Sequence, residues 1–329
     1  MVRRSGKLVL MLAGLVGLLW LLAGCGGSAA SKIPVIGVMQ FSSNDVQDPA
    51  REGFVKALND AGYVDGSTAR FIFKNGQGDL PTMQLIAKDL NAQSDLIFVV
   101  STQALQAALG VVKQKPVIFA TVADPKTAGA GASAEDHLAN VAGAPSTAPM
   151  REALQAVREA LPQARRLGLL YDPSSANSLF YLQYLEEKRA GLDLTIVPMT
   201  VNGSGDVLQG AQALAAKQID AFFVIADPFV LQSFDSVVKV AEAQHIPIFS
   251  IVPNLANQGA AVALGWNYFD NGYLGGQIAV RVLKGEKPGA IPFQWPTKFE
   301  LYVNPAAAEA QGWRIPQAMI DRAQRVVGR

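Results

Sequence analysis

The chain from Pro34 onwards alternates short apolar runs with amphipathic stretches. Runs such as "PVIGVMQF" and "DLIFVV" have the length of buried strands, whereas "DPAREGFVKALNDAGY" spaces its apolar residues as a helix does. Asp79 and Pro81, ahead of "MQLIAKDL", stand where an N-cap and a first-turn proline belong. Apolar strands that alternate with amphipathic helices predict an α/β fold whose parallel sheets are covered on both faces.

The same order of elements occurs a second time. The runs "RRLGLLYD", "LTIVPMTV", "IDAFFVIAD" and "IPIFSIV" echo the first set of strands, and Asp206 and Asp220 repeat the positions of Asp79 and Asp95. A chain of 329 residues is long enough to divide into two domains. We therefore expect two Rossmann-like lobes with parallel sheets; the alternative explanation is the general likeness of α/β units to one another.

The N-terminus has the layout of a secretory signal. Three basic residues precede an uncharged apolar run that is shorter than the roughly 20 residues of a membrane span. The run ends in Leu-Ala-Gly-Cys, which is similar to a bacterial lipobox. We predict a lipoprotein signal peptide over residues 1–24, lipidation of Cys25 and a flexible tether over residues 25–33. The alternative is an uncleaved anchor with a cysteine of no role, and both readings place the folded part outside the cytoplasm.

Composition and missing motifs exclude several classes of function. The chain has 28 basic and 27 acidic residues, and loss of the signal peptide leaves a net charge of about −2, so there is no basic excess for nucleic acid. Neither His137 nor His245 has a neighbour at the spacing of metal ligands. The nucleophile-elbow and phosphate-loop glycine patterns are absent. We therefore expect a binding protein that uses no metal or cofactor, and not an enzyme.

The loops that follow the predicted strands indicate where a ligand binds, because ligands of open parallel sheets lie outside the carboxyl ends of the strands. These loops are rich in Ser, Thr, Asn, Asp and Pro, which also suits ordinary helix caps. Their free helix N-termini favour an anionic group on the ligand. The candidate ligand-binding residues are Phe41, Ser42, Ser43, Ser101, Thr102, Thr121, Asp124, Asp172, Asn177, Asp227, Phe229, Asn254 and Trp266.

The signal, the tether and the two α/β units together resemble the solute-binding lipoproteins of ABC transporters. Stretches such as "IFKNGQGDLPTMQLIAKDL", "PVIFATVADPKTAGA" and "GYLGGQIAVRVLKGEKPGAIPF" are similar to the branch of type I periplasmic binding proteins that includes tryptophan and tyrosine carriers. The resemblance implies two lobes joined by a three-segment hinge. The N-terminal lobe would comprise residues 34–142 plus 267–299, and the C-terminal lobe residues 143–266 plus 300–329.

The resemblance also implies how the protein works. It would act as a lipid-anchored monomer outside the cytoplasm and close its cleft on a small molecule, with an ABC permease and its ATPase as partners. The alternative is a sensory receptor of the same fold. The loops after the first strand and after the last strand of the second lobe depart from the family pattern, so the identity of the ligand is not transferable.

We expect the ligand to be an amino acid with an apolar or aromatic side chain. Ser101, Thr102 and residues 121–124 would hold its carboxylate, and Asp227, or in second place Asp172, would face its ammonium from the second lobe. The apolar walls would come from Phe41, Phe229 and Trp266. The alternative ligand is a sugar or nucleoside, which would stack on these aromatic rings and bind through the carboxylates, Asn177 and Asn254.

Overall fold

The computed structural model describes residues 33–328. The predicted signal peptide, Cys25 and nearly all of the tether lie outside the described residues. Within residues 33–328, no helix is long and apolar enough to cross a membrane. The strands of this part form two sheets, one at the centre of each lobe.

The first sheet consists of five parallel strands. They are β1 (Val35–Gln40), β2 (Arg70–Asn75), β3 (Leu96–Val100), β4 (Val117–Val122) and β5 (Val141–Pro145). Their order is β2-β1-β3-β4-β5, and the three strands from β3 to β5 are buried along their whole length. Burial on both faces explains why these strands are continuous apolar runs. Pairing of β5 with β4 continues to Pro145, past the lobe boundary predicted at residue 142.

The second sheet has seven strands in the described residues. They are β6 (Arg166–Tyr171), β7 (Thr195–Thr200), β8 (Ala221–Val224), β9 (Ile248–Ser250), β10 (Val262–Trp266), β11 (Phe299–Val303) and β12 (Arg325–Val326). Their order is β12-β11-β10-β9-β8-β6-β7. The predicted parallel sheets are confirmed, with one antiparallel pair in the second sheet, where β11 runs against β10. The chain leaves this sheet at Trp266 and returns at Phe299, its paired residue, so the returning strand runs back along the departing one.

Helices connect the strands and cover the sheets. They are α1 (Gln47–Asp60), α2 (Leu80–Gln93), α3 (Thr102–Val111), α4 (Met150–Ala160), α5 (Ala176–Lys188), α6 (Val207–Ala216), α7 (Pro228–Gln232), α8 (Phe234–Gln244), α9 (Tyr268–Leu283), α10 (Pro305–Ala310) and α11 (Gln317–Arg322). The predicted N-cap of α2 is confirmed, since the Asp79 carboxylate accepts a hydrogen bond from the Thr82 amide at 2.8 Å.

Helix α9 returns to the first lobe and packs closely against α1. The contact depends on glycine, because a Cβ at Gly272 would lie 1.8 Å from the Ala50 carbonyl oxygen, and one at Gly53 would lie 2.0 Å from the Phe269 carbonyl oxygen. Two backbones meet this closely only where side chains are absent. The first turn of α9 is thereby fixed at the edge of the cleft, where it contributes to the site described below.

The cores follow from the strand pattern. Alternate residues of the first sheet enter two clusters on opposite faces; one contains the rings of Phe54 and Phe98, stacked with centroids 3.7 Å apart. The second lobe has one large cluster that includes Phe222 and Phe249. Each lobe thus has a core of its own, which leaves the polar loops at the strand ends to face the other lobe.

Candidate ligand-binding site

A cavity lies where loops from both lobes meet at the carboxyl ends of the strands. Ser101 follows β3, Thr121 lies near the end of β4, Ser146 follows β5, and Ala226 follows β8 in the other lobe. The cavity measures about 370 Å³ with its opening to solvent included. None of the described residues that line it is charged at neutral pH. These residues are Asn44, Val46, Gln47, Ser101, Thr102, Gln103, Thr121, Ser146, Asn177, Tyr181, Ala226, Pro228, Leu231 and Tyr268.

Two lining residues from the first lobe hold unusual backbone conformations. The φ angle is 104° at Ser101 and 56° at Thr121. Positive φ is uncommon outside glycine and is a true outlier for a β-branched residue such as threonine. Strained backbone of this kind clusters at functional sites, where the surrounding fold compensates for it. Its presence at two adjacent strand ends that line one cavity marks this cavity as the candidate site.

Helix N-termini from both lobes face this cavity. The Ser101 hydroxyl caps α3 by accepting a hydrogen bond from the Ala104 amide at 3.2 Å, which leaves the amides of Thr102 and Gln103 without an intrahelical acceptor. From the second lobe, the Ser175 hydroxyl caps α5 in the same way. The positive ends of two helices therefore converge on a space that contains no carboxylate, which favours an anionic group there.

Thr121 is held in place from its backbone and leaves its side chain unpaired. Its amide donates to the Asn271 Oδ1 atom of α9 at 2.8 Å, and the Asn271 amide group donates to the carbonyls of Ala144 and Pro145 at 3.1 and 3.0 Å. Asn271 is fully buried and thus ties α9 to two strand ends. The Thr121 hydroxyl is buried and has no hydrogen-bond partner among the described residues. A ligand group that reaches this oxygen would satisfy it.

Hydrogen bonds join the two lobes on either side of the cavity. The Gln103 side chain donates to the Ser175 hydroxyl at 3.1 Å, and the Thr102 hydroxyl donates to Asn177 Oδ1 at 3.4 Å. On another loop, the Asn254 side chain donates to the Asp45 carbonyl at 3.3 Å. The lobes are therefore in contact, and the structure has a closed cleft.

A polar loop after β1 forms one wall of the cavity. Gln47 is almost fully buried, and its Oε1 atom accepts hydrogen bonds from the amides of Phe41 and Ser42 at 2.8 and 3.2 Å. Asn44 accepts from the amide of Gln47 at 2.9 Å, which begins α1. These bonds shape the loop so that Asn44, Val46 and Gln47 face the second lobe.

Two buried tyrosines line the cavity from different elements. Tyr181 lies on α5 and donates its hydroxyl hydrogen bond to the Ser146 carbonyl at 3.2 Å. Tyr268 is the first residue of α9, after the cap residue Asn267. Burial raises the pKa of both phenols well above the usual range, so both are protonated at neutral pH. Together with Val46 and Leu231 they give the cavity its apolar surface.

Four of the predicted residues come together in this cavity, namely Ser101, Thr102, Thr121 and Asn177. Asn254 lies on a different interlobe contact, and its side chain is occupied by Asp45. The remaining predicted residues do not line the cavity.

The three predicted aromatic walls lie elsewhere. Phe41 is buried in the core of the first lobe, and Phe229 packs against the core of the second lobe. Trp266 donates its indole N–H to the Thr147 carbonyl at 2.7 Å, which places it between the linking segments. The aromatic residues that line the cavity are instead Tyr181 and Tyr268.

Ser42, Ser43 and Asp124, which were also predicted as ligand-binding residues, lie outside the cavity. Ser42 accepts a hydrogen bond from the Asn44 side chain at 3.0 Å, and Ser43 is exposed. Asp124 accepts hydrogen bonds from the Lys126 and Thr127 amides at 3.3 and 2.9 Å. Such bonds form a local turn, in which the carboxylate satisfies its own backbone.

Asp227 is the largest departure from the predicted site. It is fully buried, and its carboxylate accepts hydrogen bonds from the Asp172 amide at 2.7 Å and from the Ser178 hydroxyl at 2.6 Å. The amides of Phe229 and Val230, in the first turn of α7, donate to its other oxygen at 3.0 and 3.1 Å. Burial raises the pKa of this carboxyl, and the hydrogen bonds oppose that rise. Its acceptor positions are taken by the protein, so it is a cap inside the second lobe.

Asp172 is arranged in a similar way, since its carboxylate accepts hydrogen bonds from the amide and hydroxyl of Ser174 at 2.8 and 2.7 Å. Neither aspartate faces the cavity. Sequence reasoning missed Asn44, Gln47, Gln103, Ser146, Tyr181 and Tyr268 as lining residues. For Gln47, Gln103 and Tyr268 the available signal was a position in the first turn of a helix that follows a strand end. Asn44 and Ser146 lie in loops and Tyr181 in a second helical turn, where the sequence carries no such signal.

Comparisons with known proteins give a consistent result. The family model for ABC transporter substrate-binding proteins matches residues 35–327. A protein of Clostridioides difficile (strain R20291) named tyrosine-binding protein is 33% identical over 317 residues, which cover 92% of this chain and 91% of that protein.

Two solved structures are also similar. The structure of an ABC domain in complex with L-Trp from Streptococcus pneumonia has a TM-score of 0.85 at 25% identity and covers 89% of this chain and 99% of that one. The ligand-free, open structure of a substrate-binding protein with adhesive properties from Clostridium difficile has a TM-score of 0.68 at 31% identity, covering 90% and 99%.

The two-lobed α/β fold, the closed cleft at the strand ends and a family match over nearly the whole chain agree with one another. Members of the matched family work outside the cytoplasm and deliver a small molecule to a membrane permease driven by an ATPase. The chain belongs to the ABC transporter substrate-binding protein family.

Proposed function

We propose that this protein captures an aromatic amino acid in the cavity between its lobes. The observation that carries the proposal is the pair of strained residues, Ser101 and Thr121, at adjacent strand ends beside the N-terminus of α3. The tyrosine-binding protein and the L-Trp complex among the relatives support an aromatic ligand. A sugar or nucleoside remains the alternative that the experiment below tests.

The carboxylate of the ligand would lie at the start of α3. The amides of Thr102 and Gln103 are free of intrahelical acceptors, and the helix end carries partial positive charge. The Thr121 hydroxyl, buried and unpaired, supplies a third donor. Three donors around one carboxylate are enough to replace much of its hydration, which an uncharged cavity otherwise removes at a high cost.

The ammonium of the ligand would be bound by neutral oxygens. The sequence-based assignment to Asp227 is replaced, because four donors from the second lobe occupy both oxygens of its carboxylate. Asp172 accepts from Ser174 through one oxygen, and it does not line the cavity. Asn177 Oδ1, at the first turn of α5, is the acceptor that the second lobe presents to the cavity. In the closed protein this oxygen accepts from Thr102, so ligand and interlobe contact would share it.

The side chain of the ligand would pack against Val46, Leu231, Tyr181 and Tyr268. These residues come from both lobes and from the first turn of α9, so an apolar ligand buries surface against all of them only when the lobes are together. Binding to one arrangement of the lobes shifts the population towards it. Capture is therefore coupled to closure.

The closed arrangement agrees with the comparison between relatives. The open, ligand-free structure has the higher sequence identity but the lower TM-score, whereas the L-Trp complex fits this chain better. We infer that the open structure differs from this one in the arrangement of its lobes, which would lower its TM-score despite the higher identity. The closed state would be the one that the permease recognises.

The hinge would consist of the three segments that link the lobes, after β5, after β10 and before β11. Thr147 joins them, because its carbonyl accepts from the Trp266 indole at 2.7 Å and its hydroxyl accepts from the Trp295 indole at 3.2 Å. The lobes would comprise residues 34–142 plus 267–299 and residues 143–266 plus 300–329. We propose a monomer that is attached to the membrane through acylated Cys25.

Titration calorimetry of a protein that begins at residue 26 tests the proposal. We expect saturable heat from at least one of three aromatic amino acids, L-tyrosine, L-tryptophan and L-phenylalanine. L-leucine is the non-aromatic control, and glucose and adenosine represent the alternative ligand classes. Saturable binding of glucose or adenosine, with no heat from any aromatic amino acid, would contradict the proposal.

A further inference from the structure

Three residues that line the cavity, Thr121, Ser146 and Tyr268, have a side-chain hydroxyl that makes no hydrogen bond with any of the described residues. One is the Thr121 hydroxyl, which the proposed function assigns to the ligand carboxylate. Another belongs to Tyr268, which is 3% exposed as a residue; its hydroxyl makes no hydrogen bond with any of the described residues and keeps a little accessible surface beside the cavity. Buried polar groups in proteins nearly always have partners, so an unpaired phenol beside a ligand cavity requires an explanation.

Tyr181 is the useful comparison, because its hydroxyl is bonded within the protein. Tyr181 lines the same cavity, but its hydroxyl donates to the Ser146 carbonyl at 3.2 Å and so has its partner within the protein. Tyr268 is equally buried and has no such partner. A phenylalanine at this position would fill nearly the same space without the cost of an unpaired hydroxyl.

The position of Tyr268 is fixed by the surrounding fold. The side chain of Asn267 caps α9 by accepting from the amides of Phe269 and Asp270 at 3.0 and 3.2 Å. One turn later, Asn271 holds the Thr121 amide. The first turn of α9 therefore helps to position both Tyr268 and the backbone of Thr121.

We propose that Tyr268 is a specificity-determining residue that selects aromatic amino acids with a hydrogen-bonding group on the ring over phenylalanine. This inference rests on the proposed function. A phenol hydroxyl both donates and accepts, so it pairs with the hydroxyl of tyrosine or accepts from the indole N–H of tryptophan. A site built to bond such a group rejects an analogue that lacks it, because the buried hydroxyl is then left unpaired.

The test compares the wild-type protein with Tyr268→Phe by titration with L-tyrosine, L-tryptophan and L-phenylalanine. Tyr273→Phe is the matched control, since it removes the same atom from the same helix at a hydroxyl that bonds Asp60 outside the cavity. We expect the wild type to bind tyrosine or tryptophan about tenfold or more tightly than phenylalanine. Tyr268→Phe should erase that ratio, chiefly by weakening the polar ligand, and Tyr273→Phe should keep it.

The outcomes are distinguishable. A wild type that binds aromatic amino acids but does not discriminate against phenylalanine, or a Tyr268→Phe protein that keeps the wild-type ratio, overturns the inference and leaves the proposed function intact. A wild type that binds no aromatic amino acid overturns the proposed function and the inference with it. A melting temperature of Tyr268→Phe equal to or above that of the wild type shows that the variant is folded. If the melting temperature is lower, the ratio of affinities for the polar ligand and for phenylalanine is measured below the melting transition, and that ratio tests the inference.

Discussion

Replacement of Asp227 by alanine separates a structural role from a ligand contact. The carboxylate accepts four hydrogen bonds, from the amides of Asp172, Phe229 and Val230 and from the Ser178 hydroxyl, at 2.6 to 3.1 Å. Asp227 is fully buried, so water does not replace these bonds freely. If the contacts are structural, the substitution lowers the free energy of unfolding of the protein without ligand.

The size of the effect follows from the bonds that are lost. Removal of an N-cap side chain costs about 1–2 kcal/mol. The amide of Asp172 and the Ser178 hydroxyl are left buried without an acceptor, at about 1–3 kcal/mol each. We expect a total loss of about 3–5 kcal/mol, in the lower part of the combined range, because the loops after β6 and β8 relax and admit water.

Urea denaturation of the unliganded protein, followed by circular dichroism, measures this loss. Asp235→Ala is the matched control, because it removes an exposed carboxylate from the first turn of the neighbouring helix α8 and should cost less than about 1 kcal/mol. A stability of Asp227→Ala within 1 kcal/mol of the wild type, together with a large loss of ligand affinity, would refute the structural role and restore the ammonium assignment.

Three further predictions concern Thr121, the titration of Asp227 and Cys25. Thr121→Val should weaken binding of the aromatic ligand about tenfold in calorimetry while leaving the unliganded melting temperature unchanged or higher, and an unchanged affinity would remove Thr121 from the site. Burial raises the pKa of the Asp227 carboxyl, so the contribution of Asp227 to the free energy of unfolding should fall as the pH rises from 3.8, the ordinary pKa, through the raised pKa. Urea denaturation across this pH range should show a loss of stability in the wild type that is absent in Asp227→Asn. The same pH dependence in both proteins would contradict this prediction. Cys25→Ala should shift the protein from the membrane fraction to the soluble fraction or leave its precursor uncut, whereas a processed, lipid-bearing variant would disprove anchoring at this residue.

The fold was predictable because its signals are local and repeated. Buried parallel strands must be apolar on both faces, and helices between them must carry one apolar face, so their alternation is visible in sequence. The antiparallel return of β11 was not predictable, because it depends on where the chain re-enters the second lobe. That point is set by tertiary packing and not by a local pattern in the sequence.

The lining of the candidate cavity was predictable where it is formed by residues at strand ends. Ser101, Thr102 and Thr121 follow directly from the rule that ligands lie beyond the carboxyl ends of parallel strands. Asp227 failed under the same rule, because an aspartate before a proline and a short helix is equally suited to cap that helix. Which of the two a carboxylate does depends on whether its oxygens turn inward, and sequence does not encode that direction locally.

The missed tyrosines show a second limit. Tyr181 and Tyr268 lie inside helices, where an aromatic residue is normally read as part of the core. Both are buried as core residues are, yet they also line the cavity, because the two lobes come together over them. Such a residue is recognisable only when the contact between the lobes is known.

A crystal structure of the mature protein with L-tyrosine or L-tryptophan is the most direct test of whether the cavity between the lobes binds an aromatic amino acid. We expect the amino acid to lie between closed lobes, with its ring beside Tyr268. Its carboxylate should lie within hydrogen-bond distance of the Thr121 hydroxyl and of the Thr102 or Gln103 amide. A ligand carboxylate that instead lies outside this cavity, or an ammonium paired with Asp227, would contradict this expectation.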